Sequence, residues 1–218
     1  VLDEHFLHGE KFDARVRPGG WQPAKVGQYQ TKLEAFPGMP VQEYQVLKPK
    51  TIREAGPGKY ILDFGQNLSG FARLKVTEAA GTVLTLRHAE RLDQNGELYT
   101  TNLRAAKAVD QYTCRGGGEE TWNPRFTFHG FQYVEISGLS QKPDAETVQA
   151  VAISSATPET GWIETSDPML NQLVSNAWWT QKMNFIDVPT DCPQRDERLG
   201  WTGDAQAYIR TAAYYSDV

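Results

Sequence analysis

"FARLKVTEAAGTVLTLRHAE", Phe71 to Glu90, alternates apolar and polar side chains in two runs with a glycine between them. In the first run Ala72, Leu74 and Val76 alternate with Arg73, Lys75 and Thr77. In the second, Leu84 and Leu86 repeat the pattern. Successive side chains of a strand point to opposite faces, so this period of two marks strands with one buried face. Gly81 lies between the runs, and the spacing predicts a β-hairpin. Working outward, "DQYTC" (110–114), "RFTFHGFQYVEIS" (125–137) and "TVQAVAIS" (147–154) continue the texture. Turn signals fall at Gly116 to Gly118, His129–Gly130 and Lys142–Pro143. Strands joined by turns, with no helical segment long enough for a crossover, predict an antiparallel β-sandwich over residues 41–158.

Upstream, "RPGGWQPAKV" and "AFPGMPVQEY" are rich in Pro and Gly, so residues 1–40 read as the tail of a preceding β domain and a linker. Downstream the period changes. In "SDPMLNQLVSNAWWTQKMN" (166–184), Leu170, Leu173, Val174, Ala177 and Trp178 form a helical stripe. Ser166 or Asp167 can cap that helix, and Pro168 suits its first turn. A second stripe follows at Ala205, Tyr208, Ile209, Ala212 and Tyr215. Two helices cannot bury both stripes and also cover Trp178, Trp179 and Tyr214. Residues 159–218 are therefore expected to be the start of an all-α domain, and the chain a piece of a longer protein.

Bulk properties narrow the function classes. The 218 residues are enough to bury a sizeable core, and the net charge of −5 without a basic stripe argues against nucleic acid. No run nears the roughly 18 apolar residues of a membrane span. "VLDEHFLHGE" has neither the basic nor the apolar region of a signal peptide, which leaves the compartment open, as is the oligomeric state. Cys114 and Cys192 are too few and too far apart for a disulfide framework or a zinc site. His5, His8 and His88 lack metal-ligand spacing, and His129, among aromatics, reads as a packing or turn histidine. No metal or cofactor is expected. In "DFGQNLSG" (63–70) the Asp-Phe-Gly match to a kinase element stands without its partner motifs, and a tight turn between strands accounts for Gly65 and Gly70. "DQNGELY" (93–99) reads as an Asn-Gly hairpin rather than a calcium loop.

Between the two helical stripes lies "PTDCPQRDERLGWTGDA", Pro189 to Ala205. It carries Asp191, Asp196, Glu197 and Asp204 with Arg195, Arg198 and Trp201. Glycoside hydrolysis requires a protonated carboxylic acid beside the leaving oxygen, and carboxylates among neighbouring negative charge supply one. Further carboxylates can accept hydrogen bonds from sugar hydroxyls, and an indole offers its face to the C–H side of a pyranose. On residue chemistry alone a bland alternative stays open: Asp191 and Asp204 cap helices while Arg195 and Arg198 form surface ion pairs. Pro189, Pro193, Gly200 and Gly203 favour one fixed loop shape.

"DVPTDCPQRDERLGWTGDA" closely resembles the signature of bacterial α-L-rhamnosidases, glycoside hydrolase family 78. "YILDFGQNLSGFARLKV", "AERLDQNGELYTTNLR", "QYTCRGGGEETWNPRFTFHGFQYVEISG" and "TGWIETSDPMLNQL" also resemble that family's sandwich and the entry to its barrel. The resemblance covers nearly all of residues 40–218. It implies an inverting exo-hydrolase of terminal α-L-rhamnosyl residues, with an (α/α)6 barrel of which residues 159–218 would be the first part. It further implies that Glu197 is the general acid, that Asp191, Arg195 and Asp204 bind rhamnose hydroxyls, and that Trp201 is an aromatic at the sugar. Asp196 and Arg198 would orient the loop. The family's base is a downstream Glu with no counterpart in residues 1–218. A rhamnose-containing glycoside or polysaccharide is the expected partner. The alternative is a non-catalytic carbohydrate-binding or supporting sandwich with a helical stub.

Overall fold

The computed structural model describes residues 1–28 and 31–218. In chain order the strands are β1 (Asp3–His5), β2 (Gly9–Asp13), β3 (Val41–Leu47), β4 (Thr51–Gly56), β5 (Lys59–Val76), β6 (Val83–Ala89), β7 (Arg91–Leu92) and β8 (Leu98–Tyr99). They continue with β9 (Val109–Thr113), β10 (Glu120–Trp122), β11 (His129–Ser137), β12 (Val148–Ser155), β13 (Phe185–Ile186) and β14 (Val188–Pro189). Helix α1 (Pro168–Asn184) precedes β13, and α2 (Gly203–Ala212) follows β14.

The 18-residue β5 organises the molecule. Its N-terminal half pairs with β11 and β4, and its C-terminal half with β12 and β10. The sheet order β1-β2-β9-β6-β11-β5-β12-β3 thus curls through β5 from one layer into the other. Even-numbered residues of β5 hold the inside along its length: Tyr60, Leu62, Phe64, Leu68, Ala72, Leu74 and Val76 are all buried. They meet Leu84 and Leu86 of β6, Phe131 and Ile136 of β11, and Val148 and Ala150 of β12 in one core. Each such Leu or Phe contributes about 1.5–3 kcal/mol through burial. The alternating runs therefore do build the expected sandwich of mainly antiparallel strands.

Three local expectations are overturned. The runs around Gly81 do not pair as a hairpin: β11 lies between β5 and β6. Alternation reports that each strand has one buried face, and strands on opposite sides of a core satisfy it as well as neighbours do. Gly81, at φ +88°, instead turns the chain, with its N–H donating to the Cys114 carbonyl. Nor do Gly65 and Gly70 sit in a tight turn. Both lie inside β5, where pairing with β11 jumps from Leu68–Phe131 to Asp63–Tyr133. Residues 64–67 have no partner on β11 there, Gly65 taking φ +68° and donating its N–H to Asp63 Oδ1 at 2.6 Å. His129–Gly130, expected at a turn, opens β11 with both residues buried.

The ends add to this frame. β2 runs parallel to β9, and Glu10 Oε2 accepts from the N–H groups of Arg125 and Phe126, so residues expected to close a preceding domain are hydrogen-bonded to this sheet. Among the described residues, 14–40 form no helix or strand. Asn95–Gly96 joins β7 to β8 as the expected hairpin, with Asp93 Oδ1 accepting from Asn95 and Glu97. Asp167 caps α1, accepting from Met169 N–H at 2.8 Å with Pro168 in the first turn. The C-terminal end of α1 lies on the outer face of β5 and β12, where Ser69 Oγ donates to Met183 O and Ser154 Oγ to Phe185 O. Much of the α1 stripe is open: Leu173 is 63% exposed and Leu170 46%. Among the described residues, no helix is long and apolar enough to cross a membrane.

Candidate functional site

The loop between β14 and α2 has one shape because it is tied at both ends and in the middle. Thr190 and Gly200 form a β-bridge, and Trp201 N–H donates to Pro189 O at 3.3 Å. In the middle, Arg198 turns inward and is 2% exposed. Its guanidinium donates to the carbonyls of Phe6 (2.9 Å), Phe128, Leu7 and Gln194, and lies over the Phe6 and Phe128 rings. Burial pulls its pKa down to about 10, so it stays charged at neutral pH. The surface ion pair considered for Arg198 is thus replaced by a buried staple from the loop to the sandwich and to residues 6–7.

Glu197 lies at the sandwich side of the loop. Its Oε2 is contacted by Arg195 Nη2 at 3.0 Å and by Arg104 Nη1 at 3.1 Å. Asp196, beside it, accepts from the Ala105 N–H at 3.2 Å and stands 3.7 Å from Arg104 Nη1. On the helical side Asp191 and Asp204 line a pocket of about 200 Å³ with Thr190, Asn184, Gln181 and Tyr208. Asp204 stands in the first turn of α2, where a negative charge suits the exposed N–H groups, but the capping position is Thr202. Asp191 Oδ1 is buried with no hydrogen-bond partner among the described residues. Trp201 is half exposed. Cys192 sits among these groups: burial pushes its thiol up, Arg195 pulls it down, and Glu197, Asp191 and Asp204 push it up again. Of the residues picked from this stretch, Asp191 and Asp204 thus share a pocket that Arg195, Glu197 and Trp201 do not line, and Arg198 is buried.

The sandwich supplies residues that pattern reading did not select. Glu90, just after β6, accepts from Asn67 Nδ2 at 2.8 Å and Asn102 Nδ2 at 3.3 Å. Burial raises its pKa, against the hydrogen bonds of Asn67 and Gln194 and the charge of Arg195. The bulge in β5 is what carries Asn67 to Glu90. Arg104 follows a short 3₁₀ turn at Thr101–Leu103 and holds φ 56° and ψ −118°, which a side chain with a Cβ rarely adopts. No periodicity marks these positions, although Glu90 and Arg104 both fall within "AERLDQNGELYTTNLR" (89–104), one of the stretches that resemble the family. Their role comes from the curl of the sheet, which brings the ends of β6 and the segment before β9 under the loop.

One other cluster offers metal-ligand atoms. His88, Asp110 and His129 are buried, with ligand atoms within 4.8 Å of one another. His129 Nε2 pairs with Asp110 Oδ2 at 3.0 Å, His88 Nδ1 with Ala108 O at 3.0 Å, and Asp110 Oδ1 accepts from Glu10 N–H. Each side chain has one protein partner, while His88 Nε2 and His129 Nδ1 are buried without a hydrogen-bond partner among the described residues. His129 stacks on His88, with ring centroids 4.2 Å apart.

Residues 53–154 match the family model described as the bacterial alpha-L-rhamnosidase concanavalin-like domain, and residues 158–218 the bacterial alpha-L-rhamnosidase 6 hairpin glycosidase domain. An α-L-rhamnosidase of Streptomyces avermitilis is 43% identical over 98% of this chain, which covers 22% of that protein. The crystal structure of a Streptomyces avermitilis α-L-rhamnosidase complexed with L-rhamnose superimposes with a TM-score of 0.80 at 50% identity, covering 82% of this chain and 17% of the other. That of the native Aspergillus terreus enzyme gives 0.82 at 39% identity, over 95% and 25%. The chain thus spans about a quarter or less of the length of these relatives. It belongs to the bacterial α-L-rhamnosidase family of glycoside hydrolases.

Proposed function

We propose that this chain supplies the acid side of an active site that releases terminal α-L-rhamnose from a rhamnoside, by inversion. Glu197 protonates the glycosidic oxygen as the C–O bond breaks. Asp191, Arg195 and Asp204 hold the sugar hydroxyls, and Trp201 faces the ring. Asp196 and Arg198 fix the loop. The family resemblance implies that the base that takes a proton from the attacking water is a Glu outside these 218 residues, and an inverting pair holds its two carboxyls about 6.5–9.5 Å apart across the ring. The observation that carries the reading is the pair of carboxylates, Asp191 and Asp204, lining one pocket. Carboxylates accept hydrogen bonds, which suits the two to the hydroxyl donors of a sugar. Family membership gives the sugar, because relatives bear the name α-L-rhamnosidase and one was crystallised with L-rhamnose.

The test is Glu197→Gln in the full-length enzyme. Gln keeps the shape but delivers no proton, so turnover of a rhamnoside with a poor leaving group should fall about 10²–10⁴-fold while rhamnose binding survives. Wild-type kinetics on such a substrate would overturn the assignment.

A further inference from the structure

Arg104 belongs to the sandwich, 93 residues before the glutamate it contacts. Three observations set it apart from an ordinary surface arginine. Its Nη1 reaches Glu197 Oε2 at 3.1 Å and stands 3.7 Å from Asp196 Oδ1. The next residue donates its backbone N–H to Asp196 Oδ2, so backbone and side chain of one turn grip neighbouring loop residues. That turn holds a non-glycine residue at φ 56°, ψ −118°, a conformation that persists only where surrounding contacts enforce it. Beneath the turn, Asn102 binds Glu90, which faces Arg195 of the same loop.

We infer that Arg104 is a positioning residue for Glu197, so that the sandwich completes the acid site. This rests on the reading of Glu197 as the proton donor. Arg104 and Arg195 both take Oε2, from two different domains of the family's architecture. A guanidinium has only donors, so Oε2 is committed as an acceptor and the deliverable proton sits on Oε1. The two arginines fix the rotation of the carboxyl group and aim Oε1 at the glycosidic oxygen. In the reaction the Oε1–H bond breaks, its proton moves to that oxygen, and the C–O electron pair leaves with the alcohol. Water adds at the sugar carbon and loses its proton to the base.

The inference predicts a loss that depends on the leaving group. A nitrophenyl rhamnoside needs little protonation as it departs, whereas a methyl rhamnoside needs nearly full protonation. In the full-length enzyme, Arg104→Gln should lower kcat on the methyl rhamnoside at least about tenfold more than on the nitrophenyl rhamnoside, within the range that general acid catalysis contributes. KM should change little on either. Arg104→Lys, which keeps the charge but not the planar fork, should fall between wild type and Gln. It also serves as the readout should the Gln variant not fold. A purely structural role would depress both substrates alike, and equal losses, or none, would overturn the inference. Glu197→Gln run in parallel separates the two levels. If it shows the selective loss and Arg104 variants do not, only the positioning role fails. If Glu197→Gln itself loses both substrates equally, the acid reading fails with it.

Discussion

His88 is a buried ring that the proposed chemistry leaves unused, and it ties stability to pH. Burial, then the neighbouring His129, lowers its pKa to about 3, with Asp110 pulling the other way and Arg198 adding a small push down. The native protein therefore refuses a proton that the unfolded chain accepts below about 6.5. Stability from keeping His88 neutral is intact above pH 6.5 and drains as pH falls toward 3, by up to about 1.4 kcal/mol per unit. Asp110 acts in the same direction. Burial would raise its pKa, but His129's charge and hydrogen bond hold it below the ordinary value, so its contribution is lost only at still lower pH. His88→Asn can keep the hydrogen bond to Ala108 O but cannot ionise. Urea unfolding at pH 7, 6, 5 and 4 should show a shallower decline for this variant than for the wild type, and parallel declines would refute the assignment.

At the scale of elements, β5 shows what can be read from a sequence and what cannot. Its inward set from Tyr60 to Val76 is a period-two pattern, and burial follows that pattern through both layers. The caps of α1, the Asn95–Gly96 hairpin and the loop carrying Glu197 were legible for the same reason: each is a local device whose chemistry sits within a few residues. Pairing partners were not legible. β5 and β6 share a core without sharing a ladder, and nothing in Phe71–Glu90 distinguishes the two cases. Glu90 and Arg104 were missed because only the curl of the sheet brings them to residues 194–197. Gly70 reads as a turn residue in the sequence, whereas in the fold it lets β5 and β12 approach. A Cβ there would run into the Val151 carbonyl and stand 3.1 Å from Ala152 Cα, both in the paired strand. Gly70→Ala should therefore cost about 1–3 kcal/mol or more, since overpacked backbone has little room to shift. Gly19, with nothing within 4 Å of its would-be Cβ, should tolerate Ala within about 0.5 kcal/mol. Thermal melts of the two variants check this, and equal midpoints would mean that the close approach is not limiting.

On the scale of the whole molecule, the sandwich has a closed core while the helical end does not. Trp162, Met169, Leu173 and Tyr214 are each more than half exposed, and the pocket beside Asp191 and Asp204 is walled by α1, α2 and their connecting loop alone. A pocket so bounded holds a sugar from one side. Water then competes for each carboxylate–hydroxyl contact, and such contacts are worth little in solvent. Inversion also needs a second carboxylate across the ring, and within the loop Asp191, Asp196 and Asp204 are proposed for binding and support. Residues 1–218 on their own should accordingly fall short of the full-length enzyme by at least the roughly 10²–10⁴-fold that general base catalysis contributes. Incubating equal molarities of the two with a nitrophenyl α-L-rhamnoside measures this directly. That substrate removes most of the demand on Glu197, so the deficit reports the missing base and pocket walls rather than the acid. Turnover by the short chain within tenfold of the full-length enzyme would place the base among Asp191, Asp196 and Asp204 and overturn the division of roles proposed for this loop.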